Sequence, residues 1–318
     1  MENPTKQKFP KQLTVADFAL SLGVSPDDIP DICRNEINNN DFHYRIPEQE
    51  ERDEILLTIL RKLETDTQKI GSEERQLVWE KGWAENLKEF NKSGGNLDSL
   101  IPKFIRPNQP IRLKKELVIP SDPYFELKYF SVIRLWAFLE YLGKFSTVYE
   151  FGCGTGSNLV VLAKLFPHLH IYGLDFVSSS VQLIDRLAQA HGLPIDGIRF
   201  DMRSPDYNIH LAKNSAVLHF GVIEQLAGDF KPFLDYIFTN KPELVIGLEP
   251  VAELYDPGLL MDHLAIGFHK KRGYTEGYLP HLEQLAKNGK VEILKVKRTF
   301  FGSLFMEGFS FIIWKPKY

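Results

Sequence analysis

Cysteine is scarce. The 318 residues contain two, Cys33 and Cys153, set far apart. That excludes a disulfide framework and a cysteine-rich zinc site, and it suits a reducing, cytoplasmic setting. Long apolar runs are missing too: the best candidates are broken by charge, so no membrane span is expected. The segment Met1 to Pro10 lacks the apolar stretch of a signal peptide. Nor is there an excess of positive charge. A net charge of −4 offers no general attraction to nucleic acid or an anionic membrane, leaving only a local basic patch as a route to either. Histidines are poorly placed for a metal: His263 and His269 stand six apart, off a common helix face, so no metal site is expected. What is present is an ordinary globular composition, with enough chain for one large domain or two modest ones.

Residues 1–96 read as a polar, mostly helical region. Val15, Phe18, Ala19 and Leu22 recur at helical spacing behind a capping Thr14, and Ser25-Pro26 opens a second short helix. Longer amphipathic helices are expected from Pro47 to Glu64 and from Ser72 to Phe90, before a linker at Lys92-Ser-Gly-Gly-Asn96. Residues 97–145 hold an extended, proline-rich stretch that wraps a surface or forms a lid, then a helix from Phe125 to Leu142. From 146 to 318 strands and helices alternate. Strands are expected at Thr147–Phe151, His170–Asp175, Gly197–Asp201, Ser215–Phe220 and Leu244–Leu248, with helices at Ser157–Leu165, Ser179–His191 and Asp229–Asn240. A helical insertion follows near 250–290. Two strands, Val291–Phe300 and Glu307–Trp314, joined by a turn at Phe301-Gly-Ser303, then close the chain. The pattern predicts a seven-stranded, mostly parallel, doubly wound α/β sheet with an antiparallel C-terminal edge strand.

Chemistry is concentrated at the strand ends. The run Glu150-Phe-Gly-Cys-Gly-Thr-Gly156 ends one strand and opens a helix, and Gly152, Gly154 and Gly156 let the chain turn tightly and a ligand approach closely. Asp175, nineteen residues past Gly156, ends the next strand, where a carboxylate can accept from two ribose hydroxyls. Asp201 ends the third, placed to receive an adenine amine, with Phe200 or Met202 against the ring. Carboxylates at three consecutive strand ends suit a cationic cofactor without phosphate, and the GxGxG spacing differs from the GxGxxG of a dinucleotide turn. Cys153 reads as a small loop residue, since no base is paired with it.

These residues are similar to motifs I, II and III of the class I S-adenosylmethionine-dependent methyltransferases, over roughly Thr147 to the C-terminus. The resemblance implies a glycine loop, with Glu150, holding the amino-acid part of S-adenosyl-L-methionine, Asp175 holding its ribose and Asp201, with Met202, its adenine. It also implies that the segment before Phe125 covers the cofactor, which makes Tyr124 and Glu126 secondary candidates alongside Arg106 and Arg112. The whole chain also resembles bacterial methyltransferases, some of them linked to surface carbohydrate.

The acceptor belongs beyond the fourth and fifth strands, since ligands of open parallel sheets lie past the carboxyl ends. There His219 and Glu224 are candidate acid/base groups. Glu249, following a buried strand, needs a polar partner, either a substrate hydroxyl or amine or a structural arginine. Glu253 and Tyr255 share its loop. Lys270-Lys-Arg272 either contacts an acidic substrate or forms a solvated face. His219 with the two glutamates points to a hydroxyl, hence O-methylation of a small polar molecule or sugar. The alternatives are N-methylation of an amine or protein side chain, and a noncatalytic cofactor-binding or interaction protein. No Asn/Asp-Pro-Pro-Tyr/Phe tetrapeptide follows the fourth strand, so by resemblance no nucleic-acid substrate is expected. A homo-oligomer is compatible with everything above.

Overall fold

The structure, a computed structural model, describes residues 8–71, 73–103 and 105–318. Residues 1–7, part of the segment read as lacking a signal peptide, and Ser72, the expected start of a helix, lie outside the described residues.

Strand β1 (Lys11–Gln12) leads into α1 (Val15–Leu22). Thr14 and Asp17 form a reciprocal capping box at the start of this helix, and Gly23 ends it in the left-handed conformation. Helix α2 (Asp31–Asn39), not anticipated from sequence, is followed by β2 (His43–Arg45), α3 (Gln49–Thr65) and α4 (Glu73–Lys92). The proline-rich stretch contains two strands, β3 (Ile111–Leu113) and β4 (Glu116–Pro120), before α5 (Phe125–Tyr141). The alternating part runs β5 (Thr147–Phe151), α6 (Ser157–Leu165), β6 (His170–Asp175), α7 (Ser178–His191), β7 (Ile195–Arg199), β8 (Ser215–Phe220), α8 (Lys231–Asn240) and β9 (Leu244–Glu249). Helices α9 (Leu260–Arg272) and α10 (Tyr278–Lys287) form the insertion, and β10 (Val291–Arg298), β11 (Phe301–Gly302) and β12 (Ser310–Pro316) finish the fold.

The main sheet has seven strands in the order β10-β12-β9-β8-β5-β6-β7. Five of its neighbouring strands pair in parallel, while β12 lies antiparallel between β9 and β10, one place in from the edge. Its central strands are buried along their length because helices cover both faces. Side chains alternate between the two layers: Val148, Ala216 and Ile246 join Trp136, Phe138 and Phe18 on one face, while Tyr149, Val217 and Val245 join Phe233, Tyr236 and Leu282 on the other. Phe18 in that first cluster packs part of the N-terminal region into the same core as the sheet.

A second sheet, of five short strands, has the order β1-β2-β4-β3-β11. It changes one expectation. Phe301-Gly302, read as a turn between the last two strands, is β11 itself, paired with Leu113 and Arg112 of β3. The chain therefore leaves the main sheet, adds a strand to the small one, and returns. The strand expected at Gly197–Asp201 starts and ends two residues earlier, with Asp201 beyond its end.

Candidate active site

The strand order reverses direction at β5, whose neighbours are β6 and β8, so the crevice opens past their carboxyl ends. All three loop glycines have positive φ there, +68° at Gly152, +55° at Gly154 and +73° at Gly156. Their missing side chains serve different neighbours. A Cβ on Gly152 would stand 2.3 Å from Val222 Cγ2, so this glycine admits the loop after β8. A Cβ on Gly156 would press on Ile184 and Leu187 at 3.2 Å, so that one admits α7. Gly154 faces Trp83 of α4, at 3.0 Å from the indole.

Asp175 is buried beneath this loop. Its Oδ2 accepts from Gly154 N at 2.9 Å and its Oδ1 from Val177 N at 3.0 Å, and each oxygen keeps capacity for a second donor. Burial pushes its pKa up to about 6 against the pull of those backbone bonds. Glu150 Oε1 accepts from Asn158 Nδ2 at 2.5 Å, and Asn158 in turn accepts from Arg134 at 3.0 Å. The second oxygen of Glu150 is buried with no hydrogen-bond partner among the described residues, and burial raises this carboxyl to about 8. An unpartnered carboxylate oxygen next to a glycine loop fits a ligand with a cationic amino-acid portion, and Asp175 retains acceptor capacity for hydroxyls. These residues fit S-adenosylmethionine.

Asp201 is part exposed and accepts from Arg203 N at 2.9 Å. Phe200 and Met202 are buried in the second core layer, with Phe200 packed against Phe151 and Tyr236. Phe200 is thus part of the core. Cys153 is buried, and burial holds its thiol protonated.

On the acceptor side the structure brings His219, Glu249 and Glu224 together, across adjacent parallel strands. His219 is fully buried. Its Nδ1–H donates to Glu249 Oε1 at 2.8 Å, and its Nε2 accepts from Tyr278 Oη at 3.2 Å. Glu249 also accepts from Val222 N and Ile223 N, both at 3.2 Å. Burial, together with the charge of Glu249, pushes Glu224 well up, and its Oε1 accepts from Gln225 Nε2 at 3.1 Å. His219, read from the sequence as a candidate acid/base group, has both ring nitrogens engaged, and burial lowers it to about 3. A neutral imidazole locked between two partners orients the carboxylate beside it.

Other expected residues fall elsewhere. Arg272 pairs with Asp66 at 2.5 Å and Lys271 donates to Glu64 O at 3.2 Å, so two of the three basic residues tie α9 to the end of α3. Glu253 accepts from Gly277 N. Arg112, expected near the cofactor, is buried in β3 and donates to the carbonyls of Leu304 and Met261. Among the described residues, its Nη2 and both ring nitrogens of His269 have no hydrogen-bond partner. Tyr124 is exposed, and burial raises Glu126 to about 7. Sequence reasoning missed Arg298, which bridges Asp262 at 2.5 Å and Glu307 at 2.6 Å. It also missed Trp83 and Glu80, although two of the chain's four tryptophans at i, i+4 on a polar helix were a visible signal.

Residues 148–237 match a sequence family described as a methyltransferase domain. No curated protein matches the chain. Among solved structures, the fold is similar to magnesium protoporphyrin IX methyltransferase from Synechocystis PCC 6803 with bound SAH (13% identity, TM-score 0.43, 59% of this chain and 81% of that one). It is also similar to human N-acetylserotonin methyltransferase in complex with SAM (15%, 0.40, 61% and 56%). A third is geranyl diphosphate C-methyltransferase from Streptomyces coelicolor A3(2) (12%, 0.43, 73% and 98%). The family match covers the glycine loop, Asp175 and the ends of β6 to β8, so residues 148–237 are similar to a methyltransferase domain.

Proposed function

We propose that the protein methylates a hydroxyl of a small polar molecule or sugar. When bound, S-adenosylmethionine supplies an electrophilic methyl group on a sulfonium. The loop Gly152–Gly156 with Glu150 would hold its amino-acid part, Asp175 its ribose, and Asp201 the adenine edge. The observation that carries the acceptor reading is the carboxyl pair at the ends of β8 and β9. Glu249, raised to about 7 by burial, has a proton affinity matched to neutral pH, as a base for a hydroxyl requires. His219 and Tyr278 fix its orientation. Past β9, Arg298 ties Asp262 of α9 to Glu307 in the loop before β12.

The test is to incubate the protein with methyl-labelled cofactor and a polar metabolite or glycan extract, then identify the labelled product by mass spectrometry. Label in an ether of a small hydroxylated compound is the expected result; label only on nitrogen or on protein side chains would refute it. With the acceptor in hand, Glu249→Gln should lower turnover roughly 10²–10⁴-fold while cofactor affinity stays near wild type. The wild-type rate should rise with pH through about 7, as Glu249 ionises.

A further inference from the structure

Helix α4 lies on the groups that a nucleoside has to reach. Gly154 is the loop glycine whose bare face meets no part of the sheet core, and the Trp83 indole covers it: a Cβ there would sit 3.0 Å from Cζ2 and 3.3 Å from Cη2. Trp83 is buried in turn and stacks on Trp79, with centroids 5.4 Å apart and rings 24° from parallel. One turn earlier, Glu80 reaches the start of α7. Its Oε2 accepts from Ser178 N at 3.1 Å, and its backbone carbonyl accepts from Ser179 Oγ at 3.1 Å. The N-cap of α7 is Val177, which has no side chain able to cap, so Glu80 serves an otherwise orphaned donor with a charge suited to a helix start. Asp175, whose Oδ2 holds the Gly154 amide, is 4% exposed beneath this cover.

We propose that α4 is a displaceable stopper on the cofactor seat, with Trp83 filling the open face of Gly154 and Glu80 latching the helix to the start of α7. The inference rests on the reading of the glycine loop as the seat of S-adenosylmethionine. An indole packed on Gly154 and the amino-acid part of the cofactor on the same surface exclude one another. Entry therefore requires α4 to move, and the apparent affinity is the intrinsic affinity scaled by the fraction of molecules already open. Removing the indole or the latch enlarges that fraction. The three carboxylates gathered here, Glu80, Asp175 and Glu150, add a bias: the closed form shields the latter two from water, and a cationic ligand relieves them.

Titration calorimetry of the full chain with S-adenosylhomocysteine tests this in wild type, Trp83→Ala and Glu80→Ala. Both variants should bind tighter, on the order of tenfold. In wild type, saturating S-adenosylhomocysteine should speed hydrogen exchange at α4 amides, the reverse of ordinary protection by a ligand. Should Trp83→Ala lose its cooperative melt, Glu80→Ala carries the test, because it leaves the indole in place. Affinities equal to or weaker than wild type in the folded variants, or slower exchange in α4 on binding, would make the helix a wall or lid and overturn the stopper. Absence of binding in wild type and in both variants would instead overturn the cofactor reading, and the stopper with it.

Discussion

At the scale of single residues, the glycine loop is specified by its neighbours more than by its motif. Gly152→Ala would drive a methyl into Val222 from a backbone at φ +68°, combining overpacking with left-handed strain, and should cost about 1–3 kcal/mol in urea unfolding. A variant of unchanged stability would mean that the loop after β8 yields freely. Asp175 should give cofactor affinity a pH dependence of its own. Ribose hydroxyls donate best to an ionised carboxylate, so S-adenosylhomocysteine should bind more weakly at pH 5 than at pH 7.5, with the change centred near 6. Affinity flat across that range would remove Asp175 from the ribose site. The sequence already displayed the loop, both aspartates, His219 and Glu249. The bond between His219 and Glu249 was not legible, because it depends on β8 and β9 lying side by side, a fact of the sheet and not of either strand. Trp79 and Trp83, at i, i+4 on a polar helix, were visible as a pair, but that Trp83 covers Gly154 depends on how α4 packs on the loop.

At the scale of elements, the strands that form the centre of the main sheet were readable because burial on both faces leaves an uninterrupted apolar signature, as in Leu244–Glu249. The small sheet was not. Its strands run to five residues at most, and their partners are remote: Tyr44 pairs with Pro120 and Phe301 with Leu113. Strands this short carry no periodicity, so only tertiary pairing reveals them. The joint between the insertion and the last strands depends on Arg298, whose side chain is about one-tenth exposed and bridges Asp262 and Glu307. Breaking a buried pair leaves uncompensated charge, so Arg298→Met should lower stability by about 3–5 kcal/mol, measured by denaturant midpoint. Adding Asp262→Asn and Glu307→Gln should recover part of that loss; no recovery would place the effect in lost packing of the arginine stem.

At the scale of the whole molecule, buried carboxyls outnumber buried histidines, and this sets the pH dependence of stability. Glu126, Glu150, Asp175 and Glu249 are raised to about 7, 8, 6 and 7, each by burial, and Glu224 is raised well above its ordinary value. Each contributes stability that is fully present below its unfolded pKa, near 4, and lost as pH rises through the folded value. His219 and His269, lowered by burial to about 3 and 4, act in the opposite sense: their contribution is present above about 6.5 and lost on acidification. The carboxyls win by number, so calorimetric melting temperature should be higher at pH 5.5 than at pH 8.5. The reverse order would show that these carboxyls ionise in place, with water or partners reaching them.

The detour of the chain through β11 also bears on how the protein is made. On the ribosome β3 and β4 emerge long before the strand that completes their sheet, which appears only after β10. Until then the outer edge of β3 has unpaired amides and carbonyls, an invitation to pair with another nascent chain. Late closure of this kind predicts a slow final phase in refolding and a yield that falls with protein concentration. The loss of yield with concentration should be most pronounced in chains cut before Phe301.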